Sequence, residues 1–163
     1  MFWAFSLGWV RLAAMKSLYV PECASEINRR LSRLSPESAA VWGKMNAAQA
    51  LAHCSAAIEV PLGDASPPRL MVGRLLGWAV KPMFSNEKEF GRNGPTDPTF
   101  VVARECDLDA ERARLSGLIE RFVAAGPESS GKYIHSFFGR ITGEEWGIGM
   151  YKHLDHHLRQ FGA

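Results

Sequence analysis

Tyr151-Lys152-His153-Leu154-Asp155-His156-His157-Leu158 holds two histidines, His153 and His157, one helical turn apart within a repeat of Trp146, Met150, Leu154, Leu158 and Phe161. Side chains four residues apart share a helix face, so both imidazoles point the same way and can bind one metal ion. The apolar repeat makes that face the core side of the helix. Imidazoles placed there need a partner, because burying an unpaired polar ring is costly. The plain alternative to a metal is a pair of core histidines bonded to carbonyls or carboxylates.

Working outward, Thr142 with Glu145 three residues on forms a capping pair that opens this last helix, which then runs to about residue 161. Asn46 and Gln49 form a second such pair, opening an alanine-rich helix that runs to about residue 60 and carries His53. Residues 21–34 place Ala24, Ile27, Leu31 and Leu34 at helical spacing, and Ser35-Pro36 ends that first helix. Asp107 caps a third long helix with Leu108, Leu115, Leu118, Ile119 and Phe122 on its buried face, stopped by Gly126-Pro127.

Between the second and third of these helices lies a long connection. Residues 61–68 are rich in Gly, Asp and Pro, and residues 70–83 read as a strongly apolar helix carrying Arg74 and Lys81, interrupted by Gly73 and Gly77. That helix serves as core, interface or lid, and as an interface it makes the chain a homodimer. Residues 84–106 are turn-rich and longer than an ordinary connection, which suits a crossover or a functional loop, with 99–103 locally extended. Four amphipathic helices with little strand signal indicate an all-α chain: a four-helix bundle with an additional short helix and a long crossover loop.

Composition narrows the function classes. A chain of 163 residues, 47% hydrophobic, is one domain with a real core, assigned to residues 15–163. The net charge of +2, with no basic run, argues against nucleic acid and leaves a small-molecule or protein partner, with a small-molecule substrate expected. Cys23, Cys54 and Cys106 are widely spaced and suggest neither a disulfide framework nor a zinc ribbon, so a reducing compartment, the cytoplasm, is expected. Residues 1–14 form an apolar, aromatic extension with Arg11 as its only charge, and Met15 offers an alternative natural start. The extension lacks the basic start of a signal peptide and the length of about 20 residues for a span, so no integral membrane association is expected.

His53 on the second helix and His153 with His157 on the last converge on one ion if those helices are neighbours, leaving a coordination position for water or substrate. Imidazole suits several divalent ions, zinc and nickel foremost. The zincin mechanism is excluded, because Leu154 follows His153 where a zincin has its glutamate. Gly149, one turn before His153, leaves space above an ion or permits close helix packing. His156 is turned about 100° from the pair and lies behind the ligands or at the surface. Gln49 orients His53 or binds a ligand, although helix capping also accounts for it. His135 fixes its loop, Asp155 is solvated, and Cys54 is a buried, inert thiol. Arg69, Arg74, Lys88 and Arg92 either bind an anionic cofactor or form a solvated face.

Three stretches carry a family likeness: residues 42–54 (Trp42-Gly43-Lys44-Met45 through Ala52-His53-Cys54), His135-Ser136-Phe137-Phe138-Gly139, and the segment from Glu144-Glu145-Trp146 through His156-His157-Leu158 to Gly162. Over residues 15–163 the chain resembles the DinB-like superfamily, and more narrowly a domain-of-unknown-function branch of it. The resemblance implies a four-helix bundle with a long crossover, and a metal held by one histidine of the second helix and two of the last, here His53, His153 and His157. It departs from the family pattern at Ser136, where a proline follows the loop histidine, and at Gly143 and Gly149, which imply a looser start to the last helix.

Relatives of this type include transferases using low-molecular-weight thiols and a smaller number of metal-dependent hydrolases or isomerases. The expected function is therefore a metal-dependent thiol transferase acting on a small electrophile, with Gln49 and His156 orienting the cofactor or the ligands. The alternatives are a metal-dependent hydrolase and a non-catalytic bundle that binds a metal or an apolar ligand, the last supported by the lack of an evident acid/base residue.

Overall fold

The computed structural model describes residues 15–163; the N-terminal extension, residues 1–14, lies outside the described residues. Both capping pairs form. Asn46 Oδ1 accepts from Gln49 N at 2.9 Å and Gln49 Oε1 accepts from Asn46 N at 3.1 Å, opening α2 (Ala47–Leu62). Thr142 and Glu145 are reciprocal in the same way at the start of α6 (Gly143–Gln160). The expected loose start of α6 is not found: its first residue, Gly143, lies so close to Pro127 that a Cβ there would meet the Pro127 carbonyl oxygen.

The first helix, α1 (Pro21–Leu31), ends three residues earlier than its apolar spacing predicts. Arg112, from the third long helix, donates from Nε to the Leu31 carbonyl at 3.2 Å and from Nη2 to the Leu34 carbonyl at 2.6 Å, so carbonyls at and just beyond the helix end are held from outside. Asp107 caps α5 (Leu108–Ser130) through Ala110 N. The stop foreseen at Gly126-Pro127 is an interruption: Gly126 has φ 74° and ψ 170°, and one more helical turn follows to Ser130.

The helix expected over 70–83 is two helices, α3 (Met71–Val80) and α4 (Pro82–Ser85), because Pro82 has no N–H to give to the Trp78 carbonyl four residues back. Where 99–103 was expected to be extended, Pro98–Phe100 is a 3-10 turn capped by the Asp97 side chain, and the chain extends only from Val101. A two-stranded antiparallel sheet, β1 (Ile134–His135) with β2 (Gly139–Arg140), pairs Ile134 with Arg140 and His135 with Gly139. Strands of two residues are too short for an alternating pattern to announce them.

Among the described residues there are thus six α-helices and one minimal sheet, an all-α chain with short extra helices in the connection between α2 and α5. The core draws Leu18, Ile27, Leu31, Ile58, Leu115, Ile119, Phe122, Trp146 and Leu158 from the α1, α2, α5 and α6 regions, all at most 2% exposed. α2 lies along α5, and α6 touches α1, α2, α4 and α5, so it is the element on which the others meet. No helix among the described residues is long and apolar enough to cross a membrane.

Candidate metal centre

The contact of α2 with α6 brings His53, His153 and His157 together. His53 Nε2 and His153 Nε2 are 2.9 Å apart, and the three ring centroids lie 4.8 to 4.9 Å from one another. One nitrogen from each ring falls within 4.8 Å of the others. Two nitrogens bound about 2.0–2.1 Å from one ion are separated by roughly 2.9–3.4 Å, so the His53–His153 gap already has a ligand-pair dimension.

Hydrogen bonds behind two of the rings set their tautomers. His53 Nδ1 lies 2.9 Å from the Phe100 carbonyl, which can only accept, so Nδ1 carries the proton and Nε2 keeps its lone pair. His157 Nδ1 lies 2.8 Å from Gln160 Oε1. The other end of that amide, Gln160 Nε2, donates to the Trp42 carbonyl at 2.7 Å, which fixes the amide orientation and makes His157 Nδ1 the donor. Both rings therefore turn an unprotonated nitrogen inward, the arrangement that metal-ligating histidines use. The proton shared between His53 and His153 would leave on metal binding.

Burial keeps the rings neutral. It lowers the pKa of His53, against a smaller upward pull from the Phe100 carbonyl. His153 is held well below the ordinary range by burial and then by the charges that His157, His53, His156 and His135 would bring. His157 falls to about 3, chiefly through burial and then through His53. His53 and His157 are buried and His153 is half-buried, so the centre lies inside the contact between α2 and α6. The group of potential ligands contains no carboxylate or thiol.

The other candidates occupy different places. Gln49 is engaged at both ends of its amide, through Oε1 in the α2 cap and through Nε2 to the Arg104 carbonyl at 3.3 Å. The Phe100 carbonyl, rather than Gln49, holds the outer nitrogen of His53. His156 packs 5.1 Å from the His157 ring, between Trp42 and Phe90. His135 does fix its loop, since its Nδ1 accepts from Phe137 N and Phe138 N. Asp155 is half-buried and paired rather than free in solvent: it meets the buried Arg30 at 2.7 Å, tying α6 to α1. Cys54 is buried and its thiol is pushed up by desolvation, as an inert core cysteine should be. Arg92 stacks on Trp42, and Arg69 donates to the Ser136 carbonyl.

Gly149 serves packing. A Cβ there would lie 2.0 Å from a Phe84 ring carbon, so the phenylalanine of α4 fills the space beside the last helix. The departure at Ser136 is likewise used, since its hydroxyl donates to Asp97 Oδ2 at 2.6 Å and anchors the loop.

Sequence reasoning did not single out Phe100, Gln160 or Trp42 as parts of this centre. Gln160 had a usable signal, being three residues after His157 and therefore on the same face. The two carbonyls had none, because any residue supplies one.

Comparison with known proteins bears out a domain of unknown function and goes no further. No curated protein and no solved structure matches the chain. The wider DinB-like resemblance is carried by the motifs alone. Residues 13–163 match the family described as Protein of unknown function (DUF1569), and the chain belongs to that family.

Proposed function

We propose that this chain is a divalent-metal protein, and that its centre at His53, His153 and His157 serves an enzyme of thiol-transferase type acting on a small electrophile. The observation that carries this reading is the convergence of three ring nitrogens, two of them oriented from behind, with no fourth side-chain ligand in the group. Structural sites close with four protein ligands, whereas catalytic ones keep a position open. Zinc and nickel both suit a three-imidazole set.

An ion held here supplies the positive charge that lets a small thiol lose its proton at neutral pH. The chain's own residues do the rest. The Phe100 carbonyl and Gln160 hold the rings in register, and burial keeps them unprotonated and ready to ligate. Phe100 and His156 pack against the His53 and His157 rings and limit water. The lack of a carboxylate in the group favours a nucleophile that needs no general base at the moment of attack.

A second reading, metal-dependent hydrolysis, has one observation in its favour. His156 stands beside His157, and burial lowers its pKa, so at neutral pH it is an unprotonated imidazole able to take a proton from water.

Elemental analysis of untagged protein, beside His53→Ala and His153→Ala variants, tests the centre. Near-stoichiometric zinc or nickel, lost in both variants while the helical circular dichroism persists, is the expected result; failure to take up either ion overturns it. Metal-loaded protein incubated with several small thiols and a model electrophile then separates the readings. Conjugation supports the transferase, ester or amide cleavage without thiol the hydrolase, and inactivity with a large loss of thermal stability on chelation a site that only stabilises the fold.

A further inference from the structure

The helix α3 turns its apolar side chains away from the molecule. Met71, Val72, Leu75, Leu76 and Trp78 are 56–77% exposed, and Met83 of α4 continues the patch. Among the described residues α3 packs only on β2 and α4. Its seat is made by Gly73 and Gly77, one turn apart on the inward face, where a Cβ would lie 2.4 and 2.3 Å from the Phe137 carbonyl oxygen. Backbone therefore rests on backbone, and Met71, Val72, Leu75, Leu76 and Trp78 point outward. A contiguous patch of this kind on a soluble surface marks an interaction site.

Charge selects the occupant. Residues 65–86 contain Arg69, Arg74 and Lys81 and no acidic residue. Lys81 pairs with Glu145 at 2.9 Å. Arg74 is exposed, as is Arg140 on the strand beneath the helix, and neither forms an ion pair among the described residues. A second copy meeting this ridge across a two-fold axis would bring together two copies of a helix that carries Arg74 and no carboxylate. An exposed apolar helix face with the unpaired cations Arg74 and Arg140 beside it instead suits an anionic lipid layer, where an indole such as that of Trp78 is favoured at the interface.

We propose that α3 is a peripheral docking helix for an anionic lipid membrane surface, its apolar ridge entering the headgroup region and Arg74 and Arg140 meeting lipid phosphates. This inference does not rest on the metal centre.

The test is flotation of the full chain with vesicles of phosphatidylcholine alone or mixed with phosphatidylglycerol, at low and high salt. Binding to the mixed vesicles is expected, weakened by salt. The Leu75→Ser/Trp78→Ser variant should bind at least about tenfold more weakly with an unchanged circular dichroism spectrum. Arg74→Glu should lose about fivefold or more. Three results overturn the proposal: no binding to anionic vesicles, binding that both variants retain, or a lipid-free dimer in sedimentation that the double variant dissolves while vesicle binding is absent.

Discussion

Two helices of this chain have comparable apolar repeats and opposite fates. On α6, Trp146, Met150, Leu154 and Leu158 are buried, and the polar rings on the same side are engaged by one another, by Phe100 or by Gln160. On α3 the equivalent bulk is exposed, and the inward positions belong to two glycines. The difference teaches that an apolar stripe predicts burial only where a neighbouring element can take up its side chains. Among the described residues α6 meets four other helices, whereas α3 meets a two-residue strand and a single turn of helix. A stripe without such a neighbour becomes a surface.

Substitutions should expose this contrast, most strongly on α6. Trp146→Ala removes a fully buried ring and should cost about 3–5 kcal/mol in urea unfolding. Trp146→Phe should cost clearly less, because the indole N–H it deletes has no partner. A loss similar for both variants would mean that volume at this position matters little.

Acid should reach the centre next. The triad histidines have folded pKa values below that of an unfolded histidine, near 6.5, and His157 lies at about 3. The unfolded chain thus binds protons first as pH falls. Stability is full above about pH 6.5 and declines from there towards pH 3, by on the order of a few kcal/mol for the centre. His157→Gln should flatten that decline; a metal-free protein whose stability is level from pH 7 to 4 would contradict the buried, neutral assignment.

Gly149→Ala should cost about 1–3 kcal/mol by forcing Phe84 out of its place, and Phe84→Leu in the same chain should restore part of it. An additive double variant would show that the two positions do not compete for space. Gln160→Leu should lower metal affinity roughly 10- to 100-fold in calorimetric titration while the fold persists, since it frees His157 to rotate. At the small end, Leu75→Ser on α3 should change unfolding free energy by no more than about 0.5 kcal/mol. A large loss there would mean that α3 is core and that the comparison fails.

Much of the chain was legible because its signals are local. The capping pairs Asn46/Gln49 and Thr142/Glu145 announce the helices that carry the histidines, and each needs only four consecutive residues to act. The spacing of His153 and His157 places them on one face by helix geometry alone. The early end of α1 was not legible, because Arg112, from α5, takes its terminal carbonyls. Nor was the outward face of α3, whose composition is that of a core helix and whose exposure depends on what stands opposite.

The sequence by itself determined where the four long helices begin and that His153 and His157 share a side of the last one. These follow from hydrogen bonds and periodicities that close within a few residues. The tertiary structure alone decided that His53 meets that pair, that Phe100 and Gln160 orient the rings, that Phe84 fills the space beside Gly149, and that α3 faces outward. Each of these joins groups distant along the chain or depends on the volume left between packed elements, which no local pattern encodes.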